Sequence, residues 1–251
     1  MSIRCKIEGM MLNKNEIALP AQDHRTRVGL MRREKTRALL MKSALEVFAE
    51  KGPDAPVIDD FIAAAGVARG TFYNYFRTTS DLLLALCGEM SDEALAVVDA
   101  EVRKLDDPAA RICTGTRLYV RTACKYPLWG TFLARVGSRH TVRGKLLDQY
   151  LCRDIALGVR TSRFKVTNEV VVRDIMLGSI FFGIETLLTE KNQANHVEDM
   201  MYLVLTGLGL RKQEAHDIAY MPLPDTGPVV GPIFQTLSLP AGSHLQHPVQ
   251  N

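Results

Sequence analysis

The 251-residue chain contains no run of eighteen apolar residues, so no membrane span is indicated. Its longest candidate, Ile175 to Leu188, is short and carries Glu185. Residues 1–20 are interspersed with charges and lack a compact apolar stretch followed by a cleavage site, so no secretion signal is expected. The five cysteines (Cys5, Cys87, Cys113, Cys124 and Cys152) are odd in number and never spaced C-x-x-C. That argues against a disulfide framework and for reduced thiols in a cytoplasmic protein. The six histidines are scattered, without metal-ligand spacing, so neither metal nor cofactor is expected. No G-x-S-x-G elbow, P-loop, H-E-x-x-H or dinucleotide fingerprint occurs, which leaves an enzyme without support. A net charge of +3 says little about nucleic acid, and no internal repeat is present.

What is present is a composition of 47% hydrophobic and 24% charged residues, which suits a globular protein of one or two domains with a real core. Positive charge is concentrated early: seven basic residues from Arg25 to Lys42 stand against Glu34 alone. Such a cluster neutralises phosphates and releases counterions, although a solvated face or a basic tail has the same composition. Helical periodicity begins near Met31, with Leu40, Ala44, Val47 and Phe48 on one stripe and Arg33 and Arg37 sharing a face. Lys51-Gly52-Pro53 closes this helix.

Residues 57–83 are the most informative. Ile58, Phe61, Ile62 and Ala65 are spaced for one buried helix face. Gly66 ends that helix, because glycine adopts positive φ without a Cβ clash. A second helix buries Phe72 and Phe76 and turns Arg69, Gly70, Thr71, Tyr73, Asn74 and Arg77 outward. An ordinary helical hairpin explains any one of these residues. Together, at this spacing, they predict a helix-turn-helix whose second helix enters the major groove of double-stranded DNA.

The run from Ala65 to Phe76 (Ala-Gly-Val-Ala-Arg-Gly-Thr-Phe-Tyr-Asn-Tyr-Phe), followed by Asp81-Leu82-Leu83, resembles the TetR (tetracycline-repressor) family of bacterial regulators. The specific likeness covers about residues 34–85. The resemblance implies an all-α homodimer with an N-terminal three-helix DNA-binding head and a C-terminal helical domain for ligand binding and dimerisation. It places Arg69, Gly70 and Tyr73 at base edges and Thr71, Asn74 and Tyr75 at phosphates. Four features depart from the family pattern. Val57 stands at a helix cap usually held by Thr or Ser, and Asp59 and Asp60 bring negative charge near the DNA. Ala68 replaces a capping serine, and Thr79 falls where a phosphate-binding lysine is common, with Arg77 as its substitute.

Thr78 to Asp81 reads as a helix start, with Thr79 or Ser80 as cap, and a long amphipathic helix then runs to about Leu105. Asp106-Asp107-Pro108 is a boundary in which Asp caps and proline takes the first helical position. Helices follow from Pro108 to about Lys125, around Trp129 to Val136, over 142–159, over 168–190 and from Asn195 to about Gly207 or Gly209, with a short one around Lys212 to Ala219. Gly137 to His140 reads as a turn. The expected organisation is a flexible arm over 1–30, the helix-turn-helix domain over 31–80, a ligand-binding and dimerisation domain over 81–220, and a Pro/Gly-rich tail over 221–251, extended or disordered or else draped over the body.

A single helix-turn-helix contacts too few base pairs for high specificity, so a dimer presenting two heads to half-sites one helical turn apart is expected. The expected dimer surface is Ile175, Gly178, Ser179, Phe182 and Gly183 with Met201, Val204, Leu205 and Leu208, although both helices also suit the chain's own core. A small hydrophobic effector is expected among Tyr119, Trp129, Phe132, Tyr150, Met176 and Phe181. The function read from these residues is a ligand-responsive regulator, most simply a repressor that leaves a palindromic operator when its effector binds. The alternative is a small-molecule-binding protein whose DNA head has degenerated, motivated by Asp59, Asp60, Ala68 and Thr79.

Overall fold

The computed structural model describes residues 24–141 and 146–237, and among these every regular element is helical. Most of the expected arm, the helix start at Val142 and the tail beyond Leu237 lie outside the described residues. The chain divides into two units, residues 1–35 and residues 36–251. The described part of the first is the opening stretch of α1 (His24–Lys51), which begins earlier than the periodicity near Met31 suggested.

In the second unit, α1 buries Leu40, Met41, Ala44, Leu45 and Phe48, the stripe expected from the sequence. α2 (Ile58–Ala65) and α3 (Arg69–Tyr73) close the head around an aromatic file. Phe48 lies 4.9 Å from Phe61, Phe61 6.3 Å from Phe72, and Phe72 6.0 Å from Phe76, between ring centroids. These rings are fully or almost fully buried, and each such side chain removed from water contributes about 1.5–3 kcal/mol. Ile58 and Ile62 are only partly covered and pack on the rim of this core.

α4 (Thr79–Val102) leaves the head, and its cap is Thr78 rather than Thr79 or Ser80. The Asp81 N–H donates to Thr78 Oγ1 at 3.0 Å, and the Thr78 N–H donates back to Asp81 Oδ2 at 3.2 Å. This reciprocal box satisfies two donors that a helix start leaves open. α5 (Pro108–Lys125) starts at the predicted Asp-Pro boundary, where Asp107 Oδ1 accepts from the Ala109 N–H at 3.0 Å. α6 (Pro127–Thr141) runs through the segment read as a turn at 137–140. α7 (Leu146–Arg160), α8 (Glu169–Thr189), α9 (His196–Gly207) and α10 (Lys212–Ala219) complete the body. Within it α6 packs on α8, α4 on α5, and α10 on α9.

Head and body are joined at specific places. Phe48 of α1 meets Phe132 of α6 at 6.2 Å, and Arg135 donates to the Glu50 carbonyl at 2.8 Å. The Arg37 guanidinium of α1 makes a two-pronged bond to Glu89 of α4 and lies 5.7 Å over the Phe76 ring.

Candidate nucleic-acid interface and effector site

The turn between α2 and α3 follows directly from Gly66. Its φ of 62° is left-handed, and the Val67 N–H turns back to the Ile62 carbonyl at 3.2 Å. α3 is short: after Tyr73 the backbone tightens into a turn, with the Tyr75 N–H on the Phe72 carbonyl at 2.9 Å. Phe72 fixes the rotation of α3 by its full burial, and the residues on either side are carried outward. Arg69, Gly70, Tyr73, Asn74 and Arg77 are exposed, while Thr71 and Tyr75 are half-buried. Arg33 is exposed on the opening stretch of α1. Arg37, expected at a phosphate, is engaged by Glu89 inside the head–body junction.

The acidic residues that seemed to threaten DNA binding have basic partners. Asp59 forms an ion pair with Arg69, and Asp60 accepts from Lys51 Nζ at 2.8 Å. Asp60 also accepts from the Val57 N–H at 2.9 Å, so the missing cap side chain is offset by an aspartate reaching backwards. The hydrogen bonds from Lys51 and then Val57 hold the Asp60 carboxyl below its ordinary value. Both pairs are exposed and contribute little to stability. Their effect is local: each pair neutralises a carboxylate together with its basic partner, Arg69 among them.

Most of the expected effector residues lie in the core. Tyr119, Trp129, Phe132, Met176 and Phe181 are packed into the continuous core. Tyr119 and Trp129 meet edge to face at 5.3 Å, and the Tyr119 hydroxyl bonds to Ser91 Oγ at 3.1 Å. Tyr150 lines a cavity, a space of about 30 Å³ between α4, α5 and α7. Leu95, Val98, Val102, Ile112, Leu147 and Leu151 supply its apolar wall, and Asp99, Arg111, Thr116, Arg153 and Asp154 its polar wall. Asp99 and Asp154 are buried. Arg153 bridges them, at 2.8 Å to Asp99 Oδ1 and 2.8 Å to Asp154 Oδ2, with its guanidinium 4.9 Å over the Tyr150 ring. Thr116 Oγ1 is buried and meets no partner among the described residues. Sequence reasoning missed this polar wall. The signal was Asp99 itself, a carboxylate placed within the apolar stripe of α4.

The expected dimer residues divide. Ile175 and Phe182 are exposed, the latter at 73%, on a stripe of α8 that also includes exposed Val171. Gly178, Ser179 and Val204 are half-buried. Met201, Leu205 and Leu208 instead point into the chain's own core, because α9 must cover α5 and α8 with one of its faces. Gly183 is buried at the α8–α9 crossing, where an added Cβ would lie 3.6 Å from Met200 Sδ. Exposed Leu203, at 69%, was not anticipated. An open groove of about 600 Å³ lies between α8 and α9, walled by Val171, Ile175, Ser179, Met200, Leu203 and Val204 among others.

Burial pushes the Cys113 thiol up to about 12, and its Sγ–H donates to the Ile218 carbonyl at 3.4 Å. No cluster of three potential metal ligands occurs among the described residues. Among the same residues no helix is long and apolar enough to cross a membrane.

Comparison with known proteins agrees with this geometry. Residues 40–86 match the family model described as bacterial regulatory proteins, tetR family, and residues 107–221 match the tetracyclin repressor-like C-terminal domain. The crystal structure of RolR in complex with resorcinol is 30% identical, covering 79% of this chain and 100% of that one, with a TM-score of 0.63. Two curated regulators match over shorter stretches. The HTH-type transcriptional regulator YvdT of Bacillus subtilis (strain 168) is 32% identical over 68 residues, 27% of this chain and 35% of its own length. The transcriptional regulator AcuR of Cereibacter sphaeroides is 43% identical over 47 residues, 19% of this chain and 22% of its own length. The matches thus span about a third and a fifth of these two relatives. With an exposed recognition surface on a packed trihelical head, both family models matched, and a full-length likeness to RolR, the chain belongs to the TetR family of DNA-binding transcription regulators.

Proposed function

We propose that the protein is a ligand-responsive repressor that binds a palindromic operator as a homodimer and leaves it when a small hydroxylated aromatic molecule enters the body. The reading rests on one observation above others: Arg69, Gly70, Tyr73 and Asn74 are exposed together on a helix whose rotation is fixed by a fully buried phenylalanine. In this reading Arg69 and Tyr73 read base edges with the Gly70 backbone close to the groove, and Thr71, Asn74, Tyr75 and Arg77 hold phosphates. The pairing of Asp60 with Lys51 favours this reading over a degenerate head, and Arg69 exchanges Asp59 for a base edge on binding.

The exposed stripe of α8 and the groove beside it supply the dimer surface. A partner laid across them covers Val171, Ile175, Phe182 and Leu203, which a lone chain leaves in water.

The effector class follows from the polar-walled cavity and from the ligand in the RolR structure. Carboxylates of Asp99 and Asp154 and the Thr116 hydroxyl suit hydroxyl groups, and the aliphatic wall suits a ring. A space of about 30 Å³ holds little more than water, whereas a benzene-binding cavity is on the order of 150 Å³. A ring therefore enters only if α4 moves away from α5 and α7. Such an effector favours the displaced shape, and α4 carries the displacement to the head.

The test is to select fragments of genomic DNA on the full chain and titrate the bound fragments with resorcinol. Enrichment of an inverted repeat, released by the phenol, is expected. Failure to enrich any sequence overturns the reading.

A further inference from the structure

The segment beyond α10 has no helical periodicity, yet Val229, Gly231, Ile233 and Phe234 are buried. Glu93 of α4 holds its backbone: one carboxylate oxygen accepts from the Ile233 N–H at 3.1 Å and the other from the Phe234 N–H at 3.0 Å. These bonds partly offset burial, which raises the Glu93 carboxyl above its ordinary value. At Gly231 an added Cβ would run into the Glu93 carboxylate, so a side chain there would push that carboxylate away from the two amides it holds. The Phe234 ring stands on edge against Tyr126 at 4.8 Å and against Trp129 at 5.2 Å. The Val229 N–H reaches the Tyr126 hydroxyl at 3.4 Å. Leu237 then lines a hollow with Lys42 and Glu46 of α1. One short segment thus touches the connecting helix, the start of α6 and the foot of the DNA-binding head.

We propose that residues 229–237 form a self-docking strap that holds α4 to the body and thereby sets how much effector is needed to move it. The proposal rests on the reading that α4 transmits effector binding. Glu93 lies just before Leu95, Val98 and Asp99, which wall the effector cavity on the same helix. An effector that displaces α4 therefore works against two amide hydrogen bonds and a seated phenyl ring. The seat is incomplete: Trp129 Nε1, buried beside Phe234, meets no acceptor among the described residues, and a phenyl ring offers none. An incompletely satisfied seat suits a contact that opens and closes.

The test uses the full chain carrying Gly231→Ala, and separately Phe234→Ala, with Phe234→Leu as the conservative control. Neither site belongs to the DNA surface or the effector cavity. Emission of Trp129, the single tryptophan, reports the strap, and hydrogen exchange of the α4 amides reports the helix. Gly231→Ala and Phe234→Ala are expected to shift the emission to the red, speed exchange in α4, and lower the resorcinol concentration for half-release of selected DNA by about fivefold or more. Phe234→Leu is expected to fall between them and the unchanged chain. Where resorcinol releases no DNA, the comparison is made on operator affinity alone. An emission shift with α4 exchange and DNA response both unchanged overturns the strap. If the unchanged chain binds no DNA, the repressor reading fails by itself, and α4 exchange still decides whether the segment restrains the helix.

Discussion

Tyr73 is 47% exposed, and its ring meets the buried Phe72 ring at a right angle, 5.8 Å between centroids. Tyr73→Ala is expected to weaken binding to selected DNA tenfold or more, equivalent to about 1–3 kcal/mol, with little change in the thermal unfolding midpoint. A gel shift and a melting curve on the same preparation separate the two effects. Asp107 carries a different kind of test. Burial opposes its ionisation, but the bonds from Arg163 and from the Ala109 N–H outweigh burial and leave its carboxyl below the ordinary value. A carboxyl depressed by folding contributes stability above its unfolded value of about 4, and that contribution is lost as pH falls through the folded value. Asp107→Asn is therefore expected to be less stable than the unchanged chain at neutral pH, with the gap closing below about pH 4. Denaturant titrations at the two pH values measure it.

At the scale of elements, α8 is the most demanding. It is apolar nearly all round, yet Val171, Ile175 and Phe182 remain in water. Phe182→Glu places a charge in the middle of that stripe. It is expected to yield a monomer in sedimentation and to weaken operator binding, while the helical signal persists. Much of this level was legible from the sequence. The apolar stripe of Phe61 and Ala65, the break at Gly66 and the Asp-Pro start of α5 are local signals, each caused by the residues that carry it. What escaped is what tertiary packing decides. α6 continues past Val136 although glycine and serine follow, and α3 ends sooner than its aromatic spacing implied. The face that α9 gives to its own core, with Met201 and Leu205, cannot be told from a dimer face by periodicity. Five of the expected effector residues, Tyr119, Trp129, Phe132, Met176 and Phe181, lie in the packed core. Aromatic side chains mark core as readily as pocket, whereas the space beside Tyr150 is distinguished by the buried carboxylates Asp99 and Asp154, bridged by Arg153.

At the scale of the whole molecule, the proposed repressor needs a body that keeps a rigid core and yields along α4. In that proposal the small cavity serves the second need, since filling it requires movement. Thr116→Val keeps the shape of the wall and removes the hydroxyl that has no partner. It is expected to fold at least as well as the unchanged chain and to bind operator normally, while requiring about tenfold more phenolic ligand for release, the loss of one hydrogen bond of about 1 kcal/mol or more. Isothermal titration with resorcinol measures the binding directly.

The Arg37 guanidinium has a consequence that reaches the living cell. It joins α1 to Glu89 of α4 while resting over Phe76, which lies just beyond the recognition helix. Glu89→Gln leaves the operator-reading side chains and the cavity untouched but slackens that joint. A culture carrying it is expected to keep its target genes silent whether or not inducer is supplied, as a reporter fused to the operator would register. A genetic screen for such uninducible colonies should return Glu89 among its positions.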